Sequence, residues 1–83
     1  MVSFSEMKRV HMIGVKGAGM AALAEILTGR GIRVTGSDTA EVFFTDEILL
    51  KRGIRPKEGF DPKNIPRDVD AIIYSTCLLY TSN

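Results

Sequence analysis

Apolar runs and helically spaced apolar positions alternate along this chain. After a leader at residues 1–7, residues 9–15 are nearly all apolar past Arg9, the pattern of a strand buried on both faces of a sheet. A first helix is expected to open near Gly17. Met20, Leu23, Ala24 and Leu27 then fall at i, i+3, i+4 and i+7, with Glu25 and Thr28 off that face. Gly29-Arg30-Gly31 ends it. Residues 32–35 read as a second strand and Gly36-Ser37-Asp38-Thr39 as the loop after it. A second helix starts at Thr45, which is placed to cap, with Asp46 and Glu47 in the positive first turn and Phe44 placed to staple onto Leu49. Lys51 and Arg52 form a solvated last turn, and Gly53 stops the helix. Residues 54–60 read as a weak, short strand or an extended loop broken by Pro56. Asp61-Pro62 opens a helical turn, and residues 71–74 form a buried strand. Met12 and Met20 are expected in the core, and Phe43, Phe44 and Phe60 as anchors for the helices.

This order predicts an α/β fold: a Rossmann-like parallel sheet with flanking helices and right-handed crossovers, incomplete at the C-terminus. Ligands of such sheets sit beyond the carboxyl ends of the strands. The segments 14–19, 36–39 and Ser75-Thr76 all fall on that edge. The first carries three glycines, Gly14, Gly17 and Gly19, where backbone can approach a phosphate and a helix N-terminus can face it. Asp38 ends the second strand where an acidic side chain can accept from a sugar hydroxyl or base edge. A dinucleotide fingerprint requires glycine where Lys16 stands, and Gly17 comes one place late. The reading is therefore phosphate binding, with Lys16 able to face a phosphate as a point charge, rather than NAD binding. A tight turn without a ligand is the plain alternative. Three glycines in six residues followed by Asp38 exceed what a turn requires.

Composition narrows the classes. Eighty-three residues make one small domain with a marginal core. Eleven basic residues against ten acidic ones give no electrostatic case for nucleic acid or an anionic membrane. No apolar run is long enough to span a bilayer and no secretory signal is visible, so a cytoplasmic location is expected. A single Cys77 and a single His11 cannot build a structural metal site. His11, alone in an apolar strand, reads as a packed, hydrogen-bonded residue.

The stretch His11-Met12-Ile13-Gly14-Val15-Lys16-Gly17-Ala18-Gly19-Met20, then Ala24-Glu25-Ile26-Leu27 and Val34-Thr35-Gly36-Ser37-Asp38, resembles the N-terminal domain of the Mur ligases over residues 8–76. The similarity is greatest to the branch that joins L-alanine to UDP-N-acetylmuramate. A branch that recycles murein tripeptide onto the same sugar nucleotide shares much of the pattern. The resemblance implies a UDP-sugar-binding domain over residues 1–76, belonging to an enzyme of peptidoglycan (cell-wall) synthesis. Gly14, Lys16, Gly17, Ala18, Gly19 and Met20 would hold the diphosphate of UDP-N-acetylmuramic acid. Ser37 and Asp38 would contact the uridine end, and Ser75 and Thr76 would line the same site. ATP and magnesium would belong to a central domain that this chain lacks. The family usually has glycine at the place of Lys16, and often a Gly-His pair where this chain has Gly59-Phe60.

No Gly-x-x-x-x-Gly-Lys-Ser/Thr loop occurs, nor paired carboxylates set for metal–ATP chemistry. The chain alone is expected to bind a UDP-sugar, with no catalytic or metal-binding residues and no cofactor of its own. Residues 77–83 depart from the family pattern, and residues 77–82 match the translation of a transposase mosaic-end adapter, so a non-native tail is expected there. Two rival readings stand beside this one: an NAD(P)-binding oxidoreductase domain, and a non-catalytic nucleotide-binding regulatory module.

Overall fold

A computed structural model describes residues 7–74. Strands β1 (Arg9–Ile13), β2 (Arg33–Asp38), β3 (Lys57–Glu58) and β4 (Ala71–Tyr74) form one sheet in the order β3-β2-β1-β4. Every pairing in it is parallel. Helix α1 (Ala18–Gly29) links β1 to β2 and helix α2 (Thr45–Lys51) links β2 to β3. A 3₁₀ turn at Pro62–Asn64, capped by the Asp61 carboxylate on Lys63 N–H, lies between β3 and β4. The expected α/β fold is the observed one. The first two crossovers step outward in one direction. The third turns back past β1, and right-handedness sends it over the opposite face. Pro66 and Val69 of that return segment accordingly border a cavity of about 110 Å³ with Arg9, Arg33 and Thr35.

Strand alternation puts Val10, Met12, Val34, Gly36, Ala71 and Ile73 on the other face. Ala21, Ala24 and Leu27 of α1 and Leu49 of α2 join the core there. The buried stripe of α1 is centred on Ala21 rather than Met20, which is only partly buried. Small alanines let the helix lie close to the sheet.

Both helices stop by the same device. Arg30-Gly31-Ile32-Arg33 and Arg52-Gly53-Ile54-Arg55 repeat one tetrapeptide. Gly31 and Gly53 take φ of 84° and 76°. Ile32 N–H donates to Leu27 C=O at 3.1 Å, and Ile54 N–H to Leu49 C=O at 2.9 Å. These are Schellman caps, each sealed by the isoleucine buried with its leucine partner.

Several expectations are corrected. Strand β1 ends at Ile13, because the chain turns at Gly14. The first three residues of the expected loop 36–39 belong to β2: Ser37 C=O accepts from Gly14 N–H at 2.8 Å and Val15 N–H at 3.3 Å, and Ser37 and Asp38 pair with β3. Strand β3 has two residues, since Ile54 is taken up in the helix stop. Thr45 does not cap α2; its hydroxyl donates to Lys16 C=O at 2.6 Å, while the Asp46 carboxylate accepts from Phe43 N–H at 3.2 Å. Phe44 is 75% exposed and staples nothing, and Phe43 and Phe60 are exposed too. Strand β4 is exposed at Ile72 and Tyr74 rather than buried.

Gly36 admits no side chain. A Cβ there would stand 2.6 Å from Val15 Cγ1 and 2.8 Å from Val15 Cβ. Gly36→Ala is expected to lower the free energy of unfolding by about 1–3 kcal/mol, read from urea denaturation. Because the Val15 Cβ itself stands in the way, adding Val15→Ala should recover none of that loss.

Candidate functional site

The strand order reverses between β1 and β4, and parallel sheets of this kind bind ligands in a crevice at that point, outside the carboxyl ends of the strands. The loop from Gly14 to Gly17 lies at that edge, beside the end of β2. Ser75 and Thr76 follow β4 directly and lie outside the described residues, as do residues 77–83.

Gly14 turns the chain with φ of 80°. Gly17 N–H donates to Gly14 C=O at 3.2 Å, and Gly17 C=O accepts from Ala21 N–H at 2.8 Å as α1 begins. No side chain caps α1 and no acidic residue occupies its first turn. The N–H groups of Ala18, Gly19 and Met20 precede the first possible intrahelical acceptor. Gly17, Ala18 and Gly19 are exposed. The positive end of a 12-residue helix thus faces solvent behind residues with almost no side chain.

Asp38 and Lys16 build the wall of this loop. The Asp38 carboxylate accepts from Lys16 N–H at 2.9 Å through Oδ2 and from Thr39 N–H at 2.7 Å through Oδ1. The Lys16 side chain is 7% exposed, with its ammonium 3.2 Å from the Asp46 carboxylate. It also donates to Glu41 C=O and stands 5.8 Å from the centroid of the Phe43 ring. Of the residues read as ligand contacts, Gly17, Ala18 and Gly19 present open backbone. Lys16 and Asp38 present groups already engaged within the protein.

Ser37 is likewise engaged. His11 is fully buried, with Nδ1 2.8 Å from Thr35 Oγ1 and Nε2 3.2 Å from Ser37 Oγ. The Thr35 hydroxyl donates to Val10 C=O at 3.4 Å. That assigns the ring proton to Nδ1, leaving Nε2 to accept from Ser37. Burial, and next the charge of Lys57, hold the His11 pKa below its ordinary value. His11 is therefore the packed, hydrogen-bonded residue its sequence context suggests.

Among the described residues, no three His, Cys, Asp or Glu side chains converge to hold a metal ion, and no helix is long and apolar enough to cross a membrane.

Residues 9–81 match the Mur ligase family, catalytic domain. A UDP-N-acetylmuramate--L-alanine ligase of Treponema pallidum (strain Nichols) is 45% identical over 75 residues, 90% of this chain and 16% of the relative. The enzyme of the same name from Streptococcus thermophilus (strain CNRZ 1066) is 48% identical over 65 residues, 78% of this chain and 14% of the relative. That of Clostridium kluyveri (strain NBRC 12016) is 39% identical over 75 residues, again 90% and 16%. The chain spans about a sixth of the length of these curated relatives.

Two measurements probe this local chemistry. Asp38→Ala leaves Lys16 N–H buried without an acceptor and should cost about 1–3 kcal/mol of stability in chemical denaturation. The His11 contribution is complete above the ordinary histidine value of 6.5 and is lost as pH falls through the lower folded value. Unfolding free energy should therefore decline as pH drops below 6.5, and His11→Gln should flatten that slope. Asp70, whose carboxylate accepts from Lys8 and Arg9 N–H, is held below its ordinary 3.8 by those two bonds. Its contribution is present above 3.8 and disappears only as pH falls through its lower folded value, a separate and more acidic step.

Proposed function

The chain belongs to the Mur ligase family, and on that premise we propose that it is the UDP-sugar-binding segment of an ATP-dependent ligase joining L-alanine to UDP-N-acetylmuramate in peptidoglycan synthesis. The names of the relatives support the substrate. The observation that carries the reading is the uncapped, acid-free and exposed first turn of α1, which follows β1 where the order of a parallel sheet reverses. A diphosphate is the ligand whose charge and acceptor count such a turn suits.

On this reading the N–H groups of Ala18, Gly19 and Met20 bind the diphosphate, and Gly17 and Gly19 let it approach the backbone. Asp38 fixes the loop through Lys16 N–H, and each of its oxygens keeps a lone pair that can accept a sugar hydroxyl. These groups bind and orient; the bond-making occurs at the far end of the ligand. There the lactyl carboxylate takes a phosphoryl group, and the amine of L-alanine then attacks the acyl phosphate and releases phosphate. ATP supplies that phosphoryl group. On this reading ATP and magnesium would be held outside the segment this chain matches, about a sixth of the relative's length. The tripeptide-recycling branch would use the same site and differ in what is joined.

Calorimetric titration of the 83-residue chain with UDP-N-acetylmuramic acid, and in parallel with NADH, tests the reading. Ala18→Asp should weaken UDP-sugar binding about tenfold, close to 1.4 kcal/mol, while leaving the helix as stable or slightly more so, because an acidic first turn complements the dipole. The neutral Ala18→Asn should weaken it far less. NADH binding without UDP-sugar binding would overturn the assignment in favour of an oxidoreductase domain.

A further inference from the structure

Lys16 stands where a phosphate-facing lysine would be expected, yet its charge is turned inward. We propose that Lys16 is a positioning residue of the nucleotide site: its ammonium bolts the 39–44 segment and the start of α2 to the glycine loop and does not itself bind phosphate. The ligand half of this inference rests on the UDP-sugar reading; the structural half does not.

The three polar groups of Lys16 reach three places. Its N–H donates to Asp38 at the end of β2, 2.9 Å away. Its C=O accepts from the buried hydroxyl of Thr45 at the first residue of α2, 2.6 Å away. Its ammonium meets Glu41 C=O inside the connecting segment and the Asp46 carboxylate, at 3.2 Å, in the first turn of α2. The ends and the middle of the β2–α2 connection are therefore all fastened to one residue of the glycine loop.

That connection has little else to order it. Thr39 through Phe44 are exposed, with Val42 at 84% and Phe44 at 75%. Apolar burial, which fixes most loops of a small domain, is missing from it. The described contacts that hold it are polar and centre on Lys16, with Asp46 reinforcing them through Phe43 N–H. The lysine is 7% exposed and Asp46 24%, so the pair is screened from water and removing one partner leaves the other poorly compensated. A segment fastened in this way presents Val42, Phe43 and Phe44 as a fixed apolar lip next to the loop. Releasing it would make the ligand order the lip on binding and weaken affinity accordingly.

The two roles open to Lys16 predict opposite signs. A phosphate-binding lysine restrained by Asp46 would be freed by Asp46→Asn, and binding would tighten, whereas Lys16→Met would weaken it. A bolt requires both changes to act alike. Amide hydrogen exchange and UDP-N-acetylmuramic acid titration of Lys16→Met, Asp46→Asn and the double variant decide between them. We expect each single variant to speed exchange of the Phe43 and Asp46 amides, the hydrogen-bonded ones of this segment, about tenfold. Each should weaken UDP-sugar binding about three- to tenfold, with the double variant close to the weaker single rather than the product of the two. Tighter binding in Asp46→Asn overturns the proposal, as does unchanged exchange in that segment, or faster exchange with unaltered affinity. Asp46→Asn alone carries the test if Lys16→Met does not fold. If the unaltered chain binds no UDP-sugar, the functional reading fails, and the exchange measurement still decides the bolt.

Discussion

The closeness of the β1–α1 loop to the end of β2 is the constraint on which this molecule depends. Three consecutive residues of β2 each meet one consequence of it. Gly36 gives up its Cβ so that Val15 can enter the core. The Ser37 carbonyl accepts from both Gly14 and Val15 N–H. The Asp38 carboxylate accepts from Lys16 N–H and Thr39 N–H. A glycine-rich turn left to itself samples many conformations, and ordering it costs more entropy than ordering any other residue type. Here that cost is offset by hydrogen bonds from a rigid strand. The helix that follows starts from a fixed point, with its free N–H groups at the exposed first turn.

Most of this architecture was legible in the amino-acid sequence, for stated physical reasons. Buried parallel strands are apolar on both faces, so β1 stands out. Two glycines end two helices, and the repeated Arg-Gly-Ile-Arg tetrapeptide carries a further signal: the same buried isoleucine seals the cap each time. Misreadings cluster where tertiary contacts override local preference. Thr45 has the chemistry of a helix cap but finds a better acceptor in Lys16 C=O. Gly36-Ser37-Asp38 has the composition of a loop and becomes strand because β1 and β3 flank it. The phenylalanines of the β2–α2 connection look like core residues by type, yet the connection lies outside the layer that α1 and α2 cover, and they stay exposed.

The candidate site shows the same division. Glycine spacing located the loop and the acidic residue located its wall. No local pattern reveals that Lys16, Ser37 and Asp38 are committed to other parts of the chain, since their partners lie 22 to 30 residues away in sequence for Asp38, His11 and Asp46. A polar side chain beside a glycine loop invites the reading of a ligand contact. In this fold those side chains shape backbone, and the N–H groups of Ala18, Gly19 and Met20 are left free to meet an anion.

That division bears on the electrostatics of the crevice. Lys16 and Asp46 neutralise one another within 3.2 Å. Asp38 keeps its negative charge, turned onto two backbone donors. His11 beneath the loop carries a pKa lowered by burial and so stays uncharged near neutral pH. With the Lys16 charge met by Asp46 and His11 uncharged, the positive potential offered to an anion comes from the first turn of α1, whose partial charge arises from peptide dipoles and does not titrate. Such a field acts over about one turn and favours a group placed directly on the N–H donors over a distant counter-ion. It selects by position: a diphosphate bridging the Ala18–Met20 amides fits it, whereas a diffuse polyanion gains little from a surface whose formal charges cancel to within one unit.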